Sequence, residues 1–236
     1  MKTTRASRNE LDGVVVNIEL TLGSIIQGVA LYFLTDNARA VLAEGRWGTL
    51  PYVGVGLLII LLFWSRSLIH TLTLIRWPLE FVHNFFYIAC TLVEALAFTR
   101  LADPFAWFVL NAIFSALVWG LFVYDLRMIH MRKADSASEE GSRLYEIVMR
   151  DQWLNIGFLV PAILLFNITC AIAIRAHPAF FLLRGGHLVL IVCQGVGLVI
   201  YLAYVICAFV KLTPLIAATH QEWRSVEPVD VESKEK

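Results

Sequence analysis

Six long apolar runs dominate the chain, and the polar residues inside them recur at helical rather than strand spacing. The runs lie at about 14–35, 50–75, 77–101, 104–128, 153–175 and 186–210. Each reaches the roughly 20 residues that an α-helix needs to cross a bilayer. The third run holds the most informative pattern. Glu80, Asn84, Tyr87, Thr91 and Glu94 follow the spacing i, i+4, i+7, i+11, i+14, which places all five on one helical stripe. A soluble helix would turn such a stripe to water. Among Leu, Phe, Val, Ile and Ala, a carboxylate must instead face a bundle interior, a partner charge or a water-filled space.

The first run repeats the theme with two adjacent stripes: Asn17, Thr21, Ser24 and Gly28 on one, Glu19, Gly23 and Gln27 on the other. Two readings stay open for them. The helix lines an ion path or an oligomer axis through Asn17, Glu19, Thr21, Ser24 and Gln27, or its small residues serve close helix packing. The second run contributes Arg66, Ser67, His70 and Thr71. Arg66 is about nine residues, or roughly 13 Å of helical rise, from one end of its span. Glu19, Glu80, His83 and Asn84 fall at similar depth, so Arg66 is expected to pair with Glu19 or Glu80, with His70 and His83 nearby. Such a cluster is either a salt bridge that fixes helix register or a proton-sensitive gate, because histidine titrates near neutral pH. Glu94 has no Lys or Arg within a turn and carries the most functional weight of any single residue. Asn111, Ser115, Asn167 and Gln194 are isolated polar groups that interhelical hydrogen bonds would satisfy.

Breaks between the runs carry ordinary punctuation. Arg76-Trp77-Pro78 marks a hinge, Asp103-Pro104 starts the fourth span, and Gly185-Gly186 precedes the sixth. The expected organisation is a short tail (1–13), a six-helix domain (14–212) with one sizeable loop (129–152), and a second tail (213–236). In that loop Ser136 and Glu139 have capping-box spacing, Ser142 to Arg150 predicts a short helix, and Gly141 argues against a continuous one. Thirteen Lys and Arg fall on the side of both termini and five on the other. By the positive-inside rule this predicts a multi-pass protein of the cell membrane with both termini cytoplasmic. The first run lacks a small-residue cleavage site, so no cleaved leader is expected.

Composition changes the picture only by closing alternatives. The chain is 58% hydrophobic and 16% charged, with a mean hydropathy of +0.70. Too little polar surface remains to cover a soluble domain of 236 residues, so the fold class is an all-α polytopic membrane bundle of six transmembrane helices. A net charge of zero gives no support for nucleic-acid binding. Cys90, Cys170, Cys193 and Cys207 all fall inside apolar runs and form no CxxC pair, so free thiols and no metal are expected. Paired His70 and His83 would suit haem, but a transmembrane electron path needs a second pair, and no cofactor is expected. Hydrolase, P-loop and dinucleotide motifs are absent.

With the spans laid out, the chain resembles the six-helix potassium-channel family of endolysosomes and prokaryotes. That family opens its pore-lining first helix with Arg-x-x-x-Phe-Ser-Asp. Here Asp12-Gly13-Val14 stands in the comparable place after Arg5 and Arg8, without the Phe-Ser. Phe63-Trp64, Asn84-Phe85-Phe86, Asn111 through Trp119, and Pro161 also match loosely. The resemblance implies a tetramer conducting potassium or protons, with Asn17 near the family's hydrophobic constriction. The expected function is therefore an ion-conducting homo-oligomer in a lipid bilayer, with monovalent cations as its partners. The alternatives are a membrane-embedded enzyme or redox protein using Glu94, His83 and His70, and a non-catalytic sensor or partner protein signalling through residues 129–152.

Overall fold

The computed structural model describes residues 3–73, 81–134 and 139–225, and they are all-α. The helices are α1 (Thr3–Ala43), α2 (Leu50–Thr73), α3 (Phe81–Phe98), α4 (Pro104–Ala134), α5 (Glu139–Leu154), α6 (Val160–Ala176) and α7 (His187–Ser225). Six stretches are long and apolar enough to cross a membrane: Gly13–Ala43, Trp47–Thr73, Phe81–Phe98, Pro104–Met131, Gly141–Ala176 and His187–Ala218. The protein is a multi-pass helical membrane protein.

Local chemistry sets most of the boundaries. Gly45 and Gly185 adopt φ of 72° and 74°, which only glycine reaches without strain, and they end α1 and precede α7. Asp103 caps α4, its Oδ1 accepting the Ala106 N–H at 3.0 Å, and Pro104 takes the first helical position. Two helices overrun the expected tails. α1 begins at Thr3, and α7 continues through Pro214 to Ser225.

Residues 129–152 differ most from expectation. α4 persists to Ala134, and Glu139 to Leu154 form one helix that includes Gly141. Leu144, Tyr145, Val148 and Gln152 recur at helical spacing and are buried where α5 packs against α4 and α7. Their burial outweighs the roughly 1 kcal/mol that a mid-helix glycine costs. A single wide turn, Asn155–Leu159, then joins α5 to α6, with the Val160 N–H bonding the Asn155 carbonyl. Proline explains it. Pro161 has no N–H, so the Ile156 carbonyl is left free, and the Trp119 indole donates to it at 3.0 Å. The capping serine Ser136 and the hinge at 76–78 lie outside the described residues.

The helices close into a ring. α1 packs on α2 and α3, α2 on α7, α7 on α5, α5 on α4, and α4 on α3, with α6 against α4. The starts of α2, α4 and α7 meet at one end, where the Tyr52 hydroxyl lies 3.0 Å from His187 Nδ1 and Trp107 stands edge-on to Tyr52. The ends of α2 and α4 meet the start of α3 at the other, around Asp125. Polarity is inverted relative to a soluble protein. Arg66, His70, Glu94, Asp125 and Asn155 are buried, while Phe81, Phe85, Leu92, Ile172, Val189 and Ile200 are exposed. That apolar exterior suits lipid.

Gly56 sets how closely α1, α2 and α3 approach. A Cβ there would lie 2.8 Å from Leu34 Cδ1 and 3.1 Å from Phe98 Cε1. Gly56→Leu is expected to cost about 1–3 kcal/mol by overpacking and to lower the melting temperature in detergent. Gly54→Leu, two residues away on the exposed side of α2 with nothing within 4 Å of the added carbon, is the control and does not lower the melting temperature.

Candidate functional site

The interior polar groups concentrate at the Asp125 end. Asp125 of α4 is fully buried. The Nδ1 of His83, from the first turn of α3, lies 2.9 Å from Asp125 Oδ1. The Nδ1 of His70, from the last turns of α2, lies 2.7 Å from Oδ2, close but not aligned as a straight hydrogen bond. An ionised carboxylate only accepts, so in the His83 contact Nδ1–H is the donor. The outer nitrogen of His70, Nε2, is buried without a partner. One carboxylate thus holds two histidines from helices adjacent in the chain.

A second ionic centre adjoins the first through Phe122, one turn before Asp125. The Phe122 ring lies 5.5 Å from the His70 ring, and the Arg66 guanidinium sits over it at 5.1 Å. Arg66 Nη2 donates to Asp151 Oδ2 at 2.7 Å, and the Tyr204 hydroxyl donates to Asp151 Oδ1 at 2.5 Å. Asn155, in the wide turn, donates to the Asp151 carbonyl at 2.7 Å and accepts from the Tyr201 hydroxyl. Gln152 donates to the Phe122 carbonyl at 2.8 Å. Arg66 is therefore not paired with Glu19 as the helical depths predicted. Glu19 accepts from Asn84 Nδ2 at 2.8 Å instead. Glu80 lies outside the described residues.

A third group lies between α1, α2 and α3. Gln27 Nε2 approaches the Tyr87 hydroxyl at 3.4 Å, a long hydrogen bond. The Tyr87 and Ser67 hydroxyls adjoin in the space that Gly23 leaves open, where a Cβ would lie 3.6 and 3.8 Å from them. Glu94 is buried next to Gln27, and neither of its oxygens has an aligned hydrogen-bond partner. The two stripes of α1 consequently part company. Glu19 and Gln27 face the interior, whereas Asn17, Thr21 and Ser24 face outward. Thr21 and Ser24 turn their hydroxyls back to the Asn17 and Leu20 carbonyls, both at 2.8 Å.

Toward the Tyr52 end, polar groups are satisfied. Trp107 Nε1 donates to Gln194 Oε1 and Gln194 Nε2 to Asn167 Oδ1, each at 3.0 Å. Asn111 and Ser115 bond to carbonyls of their own helix rather than across helices. Between this layer and Arg66 lies a cavity of about 60 Å³ walled largely by Ile59, Phe63, Phe114, Val118, Val160 and Leu198. Arg66, Asn111, Ser115, Asn167, Gln194 and Tyr201 also border it. Cys90 and Cys170 are buried, while Cys193 and Cys207 are exposed on the outer surface of α7, all as free thiols. Among the described residues, no three His, Cys, Asp or Glu converge as metal ligands.

Sequence spacing found His70, His83, Arg66 and Glu94 but overlooked Asp125 and Asp151. The signal for Asp125 was the same as for Glu94: an acid inside an apolar run. Asp151 and its tyrosines Tyr201 and Tyr204 had no comparable signal, because α5 reads as a polar connection. Compared with family models, curated proteins and solved structures, the chain gives no match.

The Arg66–Asp151 pair sets a double-mutant test. Arg66→Leu or Asp151→Leu alone strands a buried charge and is expected to destabilise the protein by about 3–5 kcal/mol. The double substitution is expected to cost clearly less than the sum of the two, as read by thermal unfolding in detergent.

Proposed function

We propose that the protein conducts protons across its membrane through the interior of each chain. The observation that carries this reading is the fully buried Asp125 held between His70 and His83. Buried ionisable residues within a membrane typically mark ion or proton pathways, and imidazoles relay protons by taking one on one nitrogen and releasing it from the other. Arg66 and Asp151 supply a balancing pair beside the relay, anchored by Tyr204. From Ser67, next to Arg66 in the chain, hydroxyl and amide groups of Tyr87 and Gln27 lead along α3 to Glu94. Glu94 stands eleven residues, roughly 16 Å of helical rise, beyond His83.

Proton uptake into liposomes containing a pH-sensitive dye, driven by an imposed potassium diffusion potential, tests this. The purified protein is expected to raise proton flux well above empty liposomes. Asp125→Asn is expected to lower that flux at least tenfold while the protein still unfolds cooperatively. Flux no greater than in empty liposomes under either polarity would remove the reading.

A second reading rests on the outward face of α1. Asn17 is exposed there with Thr21, Ser24 and Gly28, and a polar amide facing lipid is better placed against another copy of the helix. This supports a homo-oligomer, a tetramer by the resemblance, in which α1 lines an axial path for potassium or another monovalent cation. The excess of Lys and Arg on the side of the termini supports their cytoplasmic placement in a cell membrane. Under this reading Ser24→Cys cross-links copies of the chain in membranes, and Asn17→Leu changes potassium flux without altering the response to Asp125→Asn. Monomers throughout, with no cross-link at Thr21→Cys or Ser24→Cys, would leave only the interior path.

A further inference from the structure

Glu94 is the buried acid that the paired centres leave unexplained. Three acceptor atoms without aligned donors occur together at this place: both carboxyl oxygens of Glu94 and the Oε1 of Gln27, each inaccessible to solvent. The two side chains come from different helices, α3 and α1, and the Gln27 amide lies within hydrogen-bonding reach of the carboxyl group without an aligned bond. The titratable groups that face Glu94 are Tyr87 and Cys90 of its own helix, and neither supplies a positive charge. From α1 comes only the neutral amide of Gln27. The ionisable groups Arg66, His70 and Asp125 of α2 and α4 are engaged with Asp151 and with one another. A bare carboxylate so enclosed would lack both solvation and a counter-charge.

We infer that Glu94 is a proton-binding site, a neutral carboxylic acid whose O–H donates to Gln27 Oε1. One added proton removes the uncompensated charge and turns one of the three unpartnered acceptors into a donor for another. Gln27 then has both ends engaged, since its Nε2 already reaches the Tyr87 hydroxyl. The acid becomes the terminus of a chain that runs Glu94, Gln27, Tyr87, Ser67 across α3, α1 and α2. Its place on a transport route rests on the proton-conduction reading above. Its protonation does not.

Infrared difference spectroscopy of the full-length protein in liposomes at neutral pH provides the test. Glu94→Gln is expected to remove one carboxylic-acid carbonyl band that shifts to lower frequency in D2O. Gln27→Leu, which keeps the acid but removes its acceptor, is expected to move that band to higher frequency, and Gln27→Asn is expected to restore part of the shift. If Glu94→Gln does not fold, the Gln27→Leu spectrum alone carries the test. Loss of carboxylate rather than carboxylic-acid absorption in Glu94→Gln, or a band that Gln27→Leu leaves in place, overturns the inference. A band that appears only when sodium and potassium are withdrawn would identify a cation in place of the proton, and also overturns it. Absence of proton flux with the band intact would remove the transport reading and leave this site standing.

Discussion

A charge within a membrane has neither water nor salt to stabilise it, so it must be compensated by other side chains, and that requirement organises the Asp125 end of this bundle. Asp125 is buried completely, and the two groups that compensate it come from α2 and α3. Holding both histidines fixes the relative height of three helices at once. Arg66 repeats the logic one turn away: its partner Asp151 belongs to α5, and the tyrosine that completes the set belongs to α7. Five helices are therefore referenced to two adjoining ionic centres. Removing either half of a centre leaves a stranded charge in the bundle interior.

The remaining interior is divided by chemistry. Between α2, α4, α6 and α7 lies a largely apolar cavity, bordered toward the Tyr52 end by the Trp107, Gln194 and Asn167 bonds. Between α1, α2 and α3 lie the Ser67 and Tyr87 hydroxyls, the Gln27 amide and the Glu94 carboxyl, and of these Gln27 Oε1 and both Glu94 oxygens lack an aligned hydrogen-bond partner. Among the described residues, the polar layer at the Tyr52 end has no such atoms. The wide turn at Asn155–Leu159 belongs to the same economy of bonding. Pro161 withholds one donor, the Trp119 indole replaces it, and the displaced turn brings Asn155 to Tyr201 while its side-chain amide bonds the Asp151 carbonyl.

How much of this was legible beforehand depends on how local the signal was. Span positions, the Asp103-Pro104 start and the glycine break at Gly185 follow from properties of a few neighbouring residues, and the structure agrees. Glu94 stood out for the same reason. The Arg66 pairing did not, because depth along two helices says which residues share a level and nothing about which faces meet. Two acids near that level, Glu19 and Glu80, were the natural partners. The actual partner came from a stretch too polar to read as membrane-embedded, whose apolar face of Leu144, Tyr145 and Val148 buries only against helices remote in the chain.

By itself the sequence determined that this is a six-span helical membrane protein with carboxylates and imidazoles at membrane depth, because length, hydropathy and helical period are local quantities. The tertiary structure alone decided that Asp125 collects His70 and His83, that Asp151 takes Arg66, and that α1 turns Glu19 and Gln27 inward and Asn17, Thr21 and Ser24 outward. Those outcomes depend on which helix faces adjoin, and that is settled by packing and charge compensation across the whole bundle rather than by any one segment.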